Sequence, residues 1–510
     1  MRRLFARPAL LCLAAAVLLQ WTAPLHAQGQ RKLGTIGPPP RQDPQRMTAA
    51  EGMPPLPLPA TPLRRSEPKA EPAPPLFVGK LAYGTTQDYM PNPGDVDNLL
   101  RHVRAQLDAW YGWRIVSLDE LVAARRQDRS LDIPMLYLTG YESFELTPEQ
   151  RDALRQYLID GGALVGDATL GSPSFTQSFI AEMHAMFPQR PMKPLPLDHP
   201  VHRGYYPYKD VAYFAVEQGT GVKTSGPPEL LGLNIAARTA VILSPFDMTC
   251  GWDEFYAPPA SARVPDAPRT RAMMPPDAIR TGINIVAYVS AQRRFAKAQA
   301  QTLNIVAEQP QQRAALPLAL LRHQGDWNPD PSALQQLIRF AAQETSVPMG
   351  FDLRPVDAKV EMLADTPIVI VNGLDDPALS DGEVDALRRH VQAGGFVFIN
   401  NTSGYATFDR AARDLIARIA PDTPLAQLPA DHAVFSALHP VSQARDAGSL
   451  QPRDIELWGV TIGGRTAIVY SPADTLALLK GVHDPYANAY DAATARALSL
   501  NILCHALRGR

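Results

Sequence analysis

Three side chains in the first half of the chain are of the types that nucleophilic chemistry needs. Cys250 lies in the stretch SPFDMTCGWDEF, and the adjacent pair Asp198-His199 lies upstream in LPLDHPV. A cysteine attacks as its thiolate, and a histidine whose ring is held by a carboxylate can serve as the base. If the chain brings Cys250 to His199, we expect a hydrolase or an amidotransferase-like site. Otherwise Cys250 is an inert loop thiol, and Asp198-His199 caps and packs a turn.

A second group of polar side chains follows the predicted strands, where open parallel sheets bind their ligands. In the first half these candidate ligand-binding residues are Thr139, Tyr141, Glu142, Asp167, Thr169, Ser244 and Asp247. The corresponding candidates in the second half are Asn372, Asn400, Thr402, Asp431 and His432. Threonine and asparagine after a strand also commonly close a turn or cap a helix, so a structural role stays open.

Metal and nucleotide chemistry have less support in the sequence. Oxygen and imidazole ligands are available from Glu142, Asp167, Asp198, His199, Asp247 and Asp253. However, the sequence contains no HExxH or paired CxxC spacing, no Walker loop, and no Gly-x-Gly-x-x-Gly after a strand. We therefore predict no metal site, and the sequence identifies no cofactor.

The candidate positions recur because the chain carries one domain twice. Residues 147–169 read TPEQRDALRQYLIDGGALVGDAT, and residues 380–402 read SDGEVDALRRHVQAGGFVFINNT. Around them, residues 133–201 align with residues 366–434 without a gap, at a constant offset of 233. Each stretch contains a helix that begins at a Thr or Ser cap and ends at Gly-Gly, with an apolar strand on either side. Short turns between strand, helix and strand predict a parallel sheet covered by helices.

The predicted fold class is α/β, with two tandem three-layer domains whose mostly parallel sheets are flanked by helices. We place these domains at residues 77–296 and 312–510, joined by a linker at 297–311. MRRLFAR followed by PALLCLAAAVLLQW is typical of a secretory signal peptide at residues 1–27, cleaved after Ala27. Residues 28–76 are crowded with proline, which favours a disordered, extended spacer.

These ends predict an exported, periplasmic protein without a membrane span once the signal is cleaved; an uncleaved signal would instead tether the chain. The formal net charge of -2 gives no reason to expect a nucleic-acid partner. Only Cys250 and Cys504 would remain after cleavage, which is too few for a disulfide framework.

The order of the motifs resembles the DUF4159 family. The motifs are an Asp-Trp-Asn-Pro run, Gly-Gly before a strand, DHPV, and an Arg-Thr-Ala hairpin that ends in SPxD. The resemblance covers both copies and implies a flavodoxin-like α/β layer of the class I glutamine amidotransferase-like superfamily, with no established activity. Amidotransferases of that superfamily use a cysteine on a sharp strand-to-helix turn. The turns here, GDATLGS and INNTSGY, contain none.

The sequence therefore favours a non-catalytic, exported protein that binds a ligand or a partner of the cell envelope. Two alternatives remain at this stage. One is a hydrolase or amidotransferase-like enzyme that works from the first domain with Cys250 and His199. In the other, the two copies support each other, and the groove between them is the binding surface.

Overall fold

The computed structural model describes residues 73–217, 220–253, 270–305, 315–345, 350–479 and 481–508. The predicted signal peptide and nearly all of the predicted spacer lie outside these ranges, so both stay predictions. Among the helices within these ranges, none combines the length and the apolar character needed to cross a membrane.

The first copy is built on a seven-stranded sheet in the order β2-β1-β3-β4-β9-β8-β5. The strands β2, β1, β3, β4 and β9 run parallel, whereas β8 and β5 are antiparallel to their neighbours. A small antiparallel sheet, β10-β6-β7, lies beside it. The strands are β1 (Leu76–Ala82), β2 (Gly112–Ser117), β3 (Met135–Gly140), β4 (Ala163–Ala168), β5 (Lys193–Pro194), β6 (Val211–Glu217), β7 (Thr220–Gly226), β8 (Leu231–Ile235), β9 (Arg238–Ser244) and β10 (Thr270–Met273).

Helices cover both faces of this sheet. They are α1 (Thr86–Tyr89), α2 (Asp95–Leu107), α3 (Leu118–Arg126), α4 (Pro148–Ile159), α5 (Pro173–Met186), α6 (Thr249–Trp252) and α7 (Pro275–Ile305). Helix α4 begins as its sequence predicts, because the Thr147 side chain accepts a hydrogen bond from the Gln150 backbone N–H. It ends at Ile159, and Gly161, two residues later, has a φ of 98° in the left-handed region that favours glycine.

The second copy repeats the architecture, with a seven-stranded sheet in the order β12-β11-β13-β14-β19-β18-β15. Its strands are β11 (Ala315–Leu321), β12 (Gly350–Val356), β13 (Ile368–Gly373), β14 (Phe396–Asn401), β15 (Ala426–Gln427), β16 (Ala444–Arg445), β17 (Pro452–Arg453), β18 (Trp458–Ile462) and β19 (Arg465–Ser471). Its helices are α8 (Pro331–Glu344), α9 (Val360–Leu363), α10 (Asp381–Gln392), α11 (Ala406–Ile419) and α12 (Ala492–Arg508). Strands β16 and β17 form a separate pair.

Each large sheet carries a hydrophobic core on both of its faces, which confirms the three-layer arrangement predicted for each copy. Along β3, Met135 and Tyr137 pack on one face, and Leu136 and Leu138 pack on the other. A parallel strand that is buried on both faces reads as a continuous apolar run, and that pattern is the one the sequence shows.

The segment predicted as a linker, residues 297–311, is helical in its first part. Helix α7 continues to Ile305, so residues 297–305 are helical. The rest of the predicted linker, residues 306–311, lies outside the described ranges.

One buried asparagine in the last helix of each copy ties a long loop to the helix layer. The Asn284 Oδ1 accepts hydrogen bonds from the backbone N–H groups of Tyr205 and Tyr206 at 3.1 and 2.7 Å. In the second copy, the Asn501 Oδ1 accepts from Leu438 and His439, both at 2.8 Å. Because each asparagine satisfies two backbone donors, its role in both copies is structural.

We predict that Asn501→Ala lowers the free energy of unfolding by about 3 kcal/mol, because two buried N–H groups lose their acceptor. The measurement is urea unfolding followed by circular dichroism. Ser499→Ala is the matched control on the same helix, because it removes one hydrogen bond, from Ser499 to the Thr475 carbonyl, and costs about 1 kcal/mol. Equal effects of the two substitutions would contradict this assignment.

Candidate functional site

His199 and His432 perform the same structural task in the two copies. The His199 Nδ1 accepts a hydrogen bond from the Val201 backbone N–H at 3.2 Å, so its Nε2 carries the proton and donates to the Thr239 Oγ1 at 2.8 Å. The His432 ring repeats both bonds, with the Thr466 Oγ1 at 3.0 Å from Nε2. Burial lowers the pKa of His199 to about 3. Both rings therefore hold a loop to the β8–β9 or β18–β19 hairpin as neutral groups.

Asp198 does not hold the ring of His199. Its carboxylate reaches into the second copy instead, where it accepts hydrogen bonds from the backbone N–H and the hydroxyl of Thr407 at 3.2 and 3.1 Å. Thr407 lies in the first turn of α11, and the residue before that helix provides no side-chain cap. Asp198 thus caps a helix of the other copy and forms no catalytic pair with His199.

Cys250 lies in α6, beyond the carboxyl end of β9, and its thiol is a hydrogen-bond donor. The Sγ donates to the Asp247 carboxylate at 3.0 Å and accepts from the Asn92 side chain at 3.6 Å. Burial and the Asp247 charge raise the pKa of the Cys250 thiol. A thiol in this setting stays protonated, which is the opposite of what a nucleophilic cysteine requires.

The structure does not bring Cys250 and His199 together. His199 bonds to Thr239 near the start of β9, whereas Cys250 follows the end of that strand. Seven strand residues separate the two ends, which corresponds to roughly 20 Å. The thiol–imidazole pair that a hydrolase would need is therefore not formed.

Asp167 and Asp247 fasten the turn that follows β9. The Asp167 carboxylate accepts from the backbone N–H groups of Met248 and Thr249 at 2.9 and 3.2 Å. The Asp247 carboxylate accepts from the Leu170 N–H at 2.6 Å, across the turn after β4. Burial, and then the charge of Asp247, raise the pKa of Asp167, which favours its neutral acid.

The second copy makes the same two connections with one amide and one carboxyl group in place of two carboxyl groups. The Asn400 Oδ1 accepts from the Thr475 N–H at 3.0 Å, and the Asp474 carboxylate accepts from the Ser403 N–H at 2.8 Å. An amide thus serves where the first copy has a carboxylate. This repetition assigns Asp167, Asp247 and Asn400 to the structure of the sheet ends.

The remaining candidates after the strands are mostly engaged locally. Thr139 bonds to Thr169 at 3.1 Å, and the Thr402 hydroxyl donates to Asn372 at 2.5 Å. The Ser244 hydroxyl donates to the Phe246 carbonyl at 2.5 Å. The Tyr141 backbone carbonyl accepts a hydrogen bond from the Ser172 hydroxyl. The side chains of Glu142 and Asp431 are exposed.

One side chain in each copy fills the crevice where open α/β sheets usually bind ligands, beside the first strand at the point where the strand order reverses. The Tyr83 hydroxyl donates to the Thr139 carbonyl at 3.2 Å and lies against Gly140, where a Cβ atom would approach it to 1.7 Å. His323 takes the same place in the second copy, with its Nε2 3.0 Å from the Asn372 carbonyl. Sequence reasoning missed both residues, although each closely follows the first strand of its copy.

A buried ion pair distinguishes the first copy from the second. The Lys80 ammonium lies 2.6 and 2.8 Å from the two Asp95 oxygens, and both side chains are fully buried. Burial lowers the pKa of Lys80 and raises the pKa of Asp95 to about 6. The corresponding residues of the second copy, Leu320 and Ala333, are apolar and buried. The fold therefore does not require this ion pair.

The two copies meet through polar contacts and through ring contacts, among them Tyr288 stacked on Tyr486 with centroids 5.7 Å apart. The Lys193 ammonium lies 2.6 Å from the Asp375 carboxylate. The Asn234 side chain donates to Asp326 at 2.8 Å. Farther along the junction, the Gln292 side chain donates to Asp484 at 2.9 Å. The edge of the first sheet thus rests on the carboxyl ends of the second sheet's strands.

These contacts leave a cleft of about 80 Å³ between the copies. The first copy contributes the β5 and β8 edge, and the second contributes the loops that follow β11 and β13. Domain interfaces and the carboxyl ends of parallel strands are both preferred locations for ligand sites. The polar side chains that line the cleft are Gln189, Arg190, Lys193, His199, Asn234, Gln324, Asp326, Asp375 and Tyr405.

The electrostatics of the cleft are mixed. Arg190 and Lys193 supply cations from the first copy, and Asp326 and Asp375 supply carboxylates from the second. Burial, and then the charge of Asp375, raise the pKa of Asp326. In the described ranges, the cleft included, no three His, Cys, Asp or Glu side chains are arranged to hold a metal ion.

Comparison with known proteins identifies a family but no activity. The sequence profile of DUF4159, described as a domain of unknown function, matches residues 78–289 and 317–507. No curated protein matches the chain. A crystal structure from Silicibacter pomeroyi DSS-3, provisionally named a phosphosugar isomerase, is similar at 11% identity over 64% of this chain and 75% of that one. Its TM-score of 0.14 is too low to carry an argument.

We predict that Cys250 in the native chain reacts slowly with iodoacetamide at neutral pH. The measurement is the labelling rate against pH, in a chain whose Cys12 and Cys504 are replaced by serine. Because the pKa of the thiol is raised, the native rate should be at least about tenfold below that of the same chain in urea, whose free thiol has a pKa near 8.5. Rapid native labelling with an apparent pKa below that value would contradict the hydrogen-bonded thiol.

A second prediction concerns the buried ion pair. Asp95→Ala leaves the Lys80 charge without its counter-ion and lowers the free energy of unfolding by about 3–5 kcal/mol. The double variant, Lys80→Leu with Asp95→Ala, reproduces the apolar pair of the second copy. Its free energy of unfolding should equal or exceed that of wild type. Since the folded chain raises the pKa of Asp95 from about 4 to about 6, this group makes stability fall as pH rises through that window. The double variant should lack that slope in urea unfolding. A double variant as unstable as Asp95→Ala would show that the ion pair does support the fold.

Proposed function

Since the chain belongs to the DUF4159 family, to which no activity is assigned, we propose that it is a non-catalytic binding protein of the cell envelope. The observation that carries the proposal is the cleft between the copies, lined by charged side chains from both. The first copy alone or the second copy alone would provide only one wall of this site.

The absence of catalysis is supported by the states of the two best candidate groups. The Cys250 thiol donates its proton to Asp247, and His199 is a neutral ring engaged through both nitrogens. The two lie near opposite ends of β9, so the hydrolase alternative has no nucleophile paired with a base. The usual ligand crevice of each sheet is filled by Tyr83 or His323, which also argues against chemistry there.

The ligand class follows from the charges of the cleft. Lys193 and Asp375 pair with each other across the cleft, so a ligand with a single charge would bind one of the two and leave the other unpaired. An apolar ligand would strip water from the four charged groups of the cleft at a high cost. A small zwitterion, such as a free amino acid or a dipeptide, can place its carboxylate towards the cations and its ammonium towards the carboxylates. The proline-rich wall around Pro194 would contact its side chain.

Two broader assignments belong to this proposal. The strand order β2-β1-β3-β4-β9 is similar to the flavodoxin-like order, which supports a relationship to the class I glutamine amidotransferase-like superfamily. That relationship would concern the fold alone, because the strand-end turns lack the cysteine nucleophile. The envelope location rests on the predicted signal peptide at residues 1–27.

We predict that zwitterions bind to the chain and that analogues with a single charge do not. The probes are glycine, glutamate, lysine and glycylglycine, compared with acetate and methylammonium, in isothermal titration calorimetry and thermal unfolding. A ligand present at 100 times its dissociation constant stabilises the folded chain by about 2.7 kcal/mol. Lys193→Ala should weaken binding at least about tenfold, because it removes a cation from the cleft.

The control for this substitution is Lys359→Ala, which removes the lysine of an exposed ion pair with Asp357 elsewhere in the second copy. It should leave zwitterion binding unchanged. The proposal of a zwitterion site fails if no zwitterion gives heat or a thermal shift, or if the two lysine variants behave alike. Binding of acetate with the same affinity as glycine would replace the zwitterion by a simple anion.

A further inference from the structure

The junction between the two copies uses two different surfaces, and the chain presents each surface a second time. We call the first surface the docking edge. In the first copy it comprises β5, β8 and the Asp198-His199 loop. We call the second surface the receiving end. In the second copy it comprises the loops after β11 and β13 and the start of α11. We propose that the docking edge of the second copy binds the receiving end of the first copy in another molecule of the same chain.

The internal junction defines the contacts that would be repeated. On the docking edge, Asp198 caps α11 at Thr407, and Asn234 donates to Asp326 on the receiving end. The ring of His199 lies 6.2 Å from that of Tyr405, and His199 is only 5% exposed. The docking edge of the first copy is therefore covered by the second.

The docking edge of the second copy has the same geometry but is open. Its elements are β15, β18 and the Asp431-His432 loop, whose histidine bonds to the hairpin as His199 does. Asp431 and Thr461, which correspond to Asp198 and Asn234, are exposed. An open cleft of about 610 Å³ lies beside the loop and includes Asp431 and His432 in its lining.

The receiving end of the first copy is open as well. Ser174 is the second residue of α5, as Thr407 is of α11, and it carries the same hydroxyl group on an exposed side chain. In the sequence, Asp88 corresponds to Asp326, and Glu142 corresponds to Asp375. The Asp88 Oδ2 accepts from the backbone N–H and the hydroxyl of Thr85, so a new partner would use Oδ1. Glu142 is exposed, whereas Asp375 is partly covered by Lys193 at the internal junction.

Two of the internal contacts can therefore form again between molecules. The Asp431 carboxylate would accept from the backbone N–H and the hydroxyl of Ser174, and the Thr461 hydroxyl would donate to Asp88. The ion pair would not recur, because Ala426 stands where the first copy has Lys193. The contact between molecules is thus weaker than the internal junction and depends on concentration.

Because the two surfaces differ, the contact is heterologous. Each molecule uses its docking edge on one neighbour and its receiving end on another, so the assembly either closes into a ring or extends as a filament. This arrangement makes a specific experimental signature possible, because two different variants can complement each other in a mixture.

The experiment measures the molar mass of the full chain by light scattering and sedimentation velocity over a series of concentrations. Wild type should rise above the mass of one chain as concentration increases. Asp431→Lys and Ser174→Asp should each raise the dissociation constant at least about tenfold, since one removes the carboxylate acceptor and the other opposes it with a like charge. Helix α5 keeps its own cap, Ser172, in both variants. Aspartate in the first turn suits a helix, so Ser174→Asp is expected to fold.

Mixing the two variants tests the geometry. One junction in the mixture pairs the new lysine with the new aspartate, and the other pairs the wild-type Asp431 with the wild-type Ser174. An equimolar mixture should therefore associate as wild type does. Asp414→Lys, an equal charge change on the exposed side of α11, should associate normally.

Three outcomes would overturn the proposal. The first is a wild-type chain that stays monomeric up to about 1 mM. Such a chain would bind its neighbour with a free energy weaker than about -4 kcal/mol. The second is association that neither Asp431→Lys nor Ser174→Asp weakens. The third is association that the two variants weaken but their mixture does not restore, because such an assembly uses other surfaces.

Discussion

The hydrogen bonds from Thr407 to the Asp198 carboxylate join the start of a helix in the second copy to a loop of the first. A helix start exposes backbone donors that need acceptors, and α11 takes its acceptor from the neighbouring copy. That contact lies where the edge of the first sheet meets the carboxyl ends of the second sheet's strands. The Lys193–Asp375 ion pair and the Asn234–Asp326 hydrogen bond then follow on the same surface. The cleft is the space that these polar contacts leave between them.

Polar residues at the strand ends mainly satisfy the backbone in this fold. Asp247 and Asp474 accept from the turn after the neighbouring strand, and the two DH motifs hold their loops to a hairpin by the same pair of bonds. A duplicated domain makes such an assignment secure, since one copy serves as the control for the other. By the same comparison, the Lys80–Asp95 ion pair is not a requirement of the fold, because apolar residues replace it in the second copy. It remains the feature of the first copy that structural need explains least.

Much of the fold could be predicted from the sequence, because its signals are local. The Thr147 cap, the Gly-Gly ending and the apolar strands lie within about 20 residues of each other, and their repetition located both sheets. The site was harder to predict. Adjacency of Asp198 and His199 in the chain says nothing about side-chain direction, and the two side chains point to different partners. The cleft joins Lys193 to Asp375, which are 182 residues apart in the sequence. The repeating pattern of a helix or a strand does not relate two residues that are so far apart in the sequence. Lys80 was detectable in principle, as a charge inside an apolar strand.

The borrowed helix cap also bears on how the chain is made. Synthesis proceeds from the N-terminus, and domains generally fold as units while the chain emerges. The first copy can therefore complete its sheet and present Asp198 before α11 of the second copy has been synthesised. When α11 appears, its acceptor is already in place, held by a loop that His199 fixes to the first sheet. The order of the two copies along the chain thus places the acceptor before the helix that uses it, and a chain with the copies in reverse order would synthesise the second copy's helix before its cap.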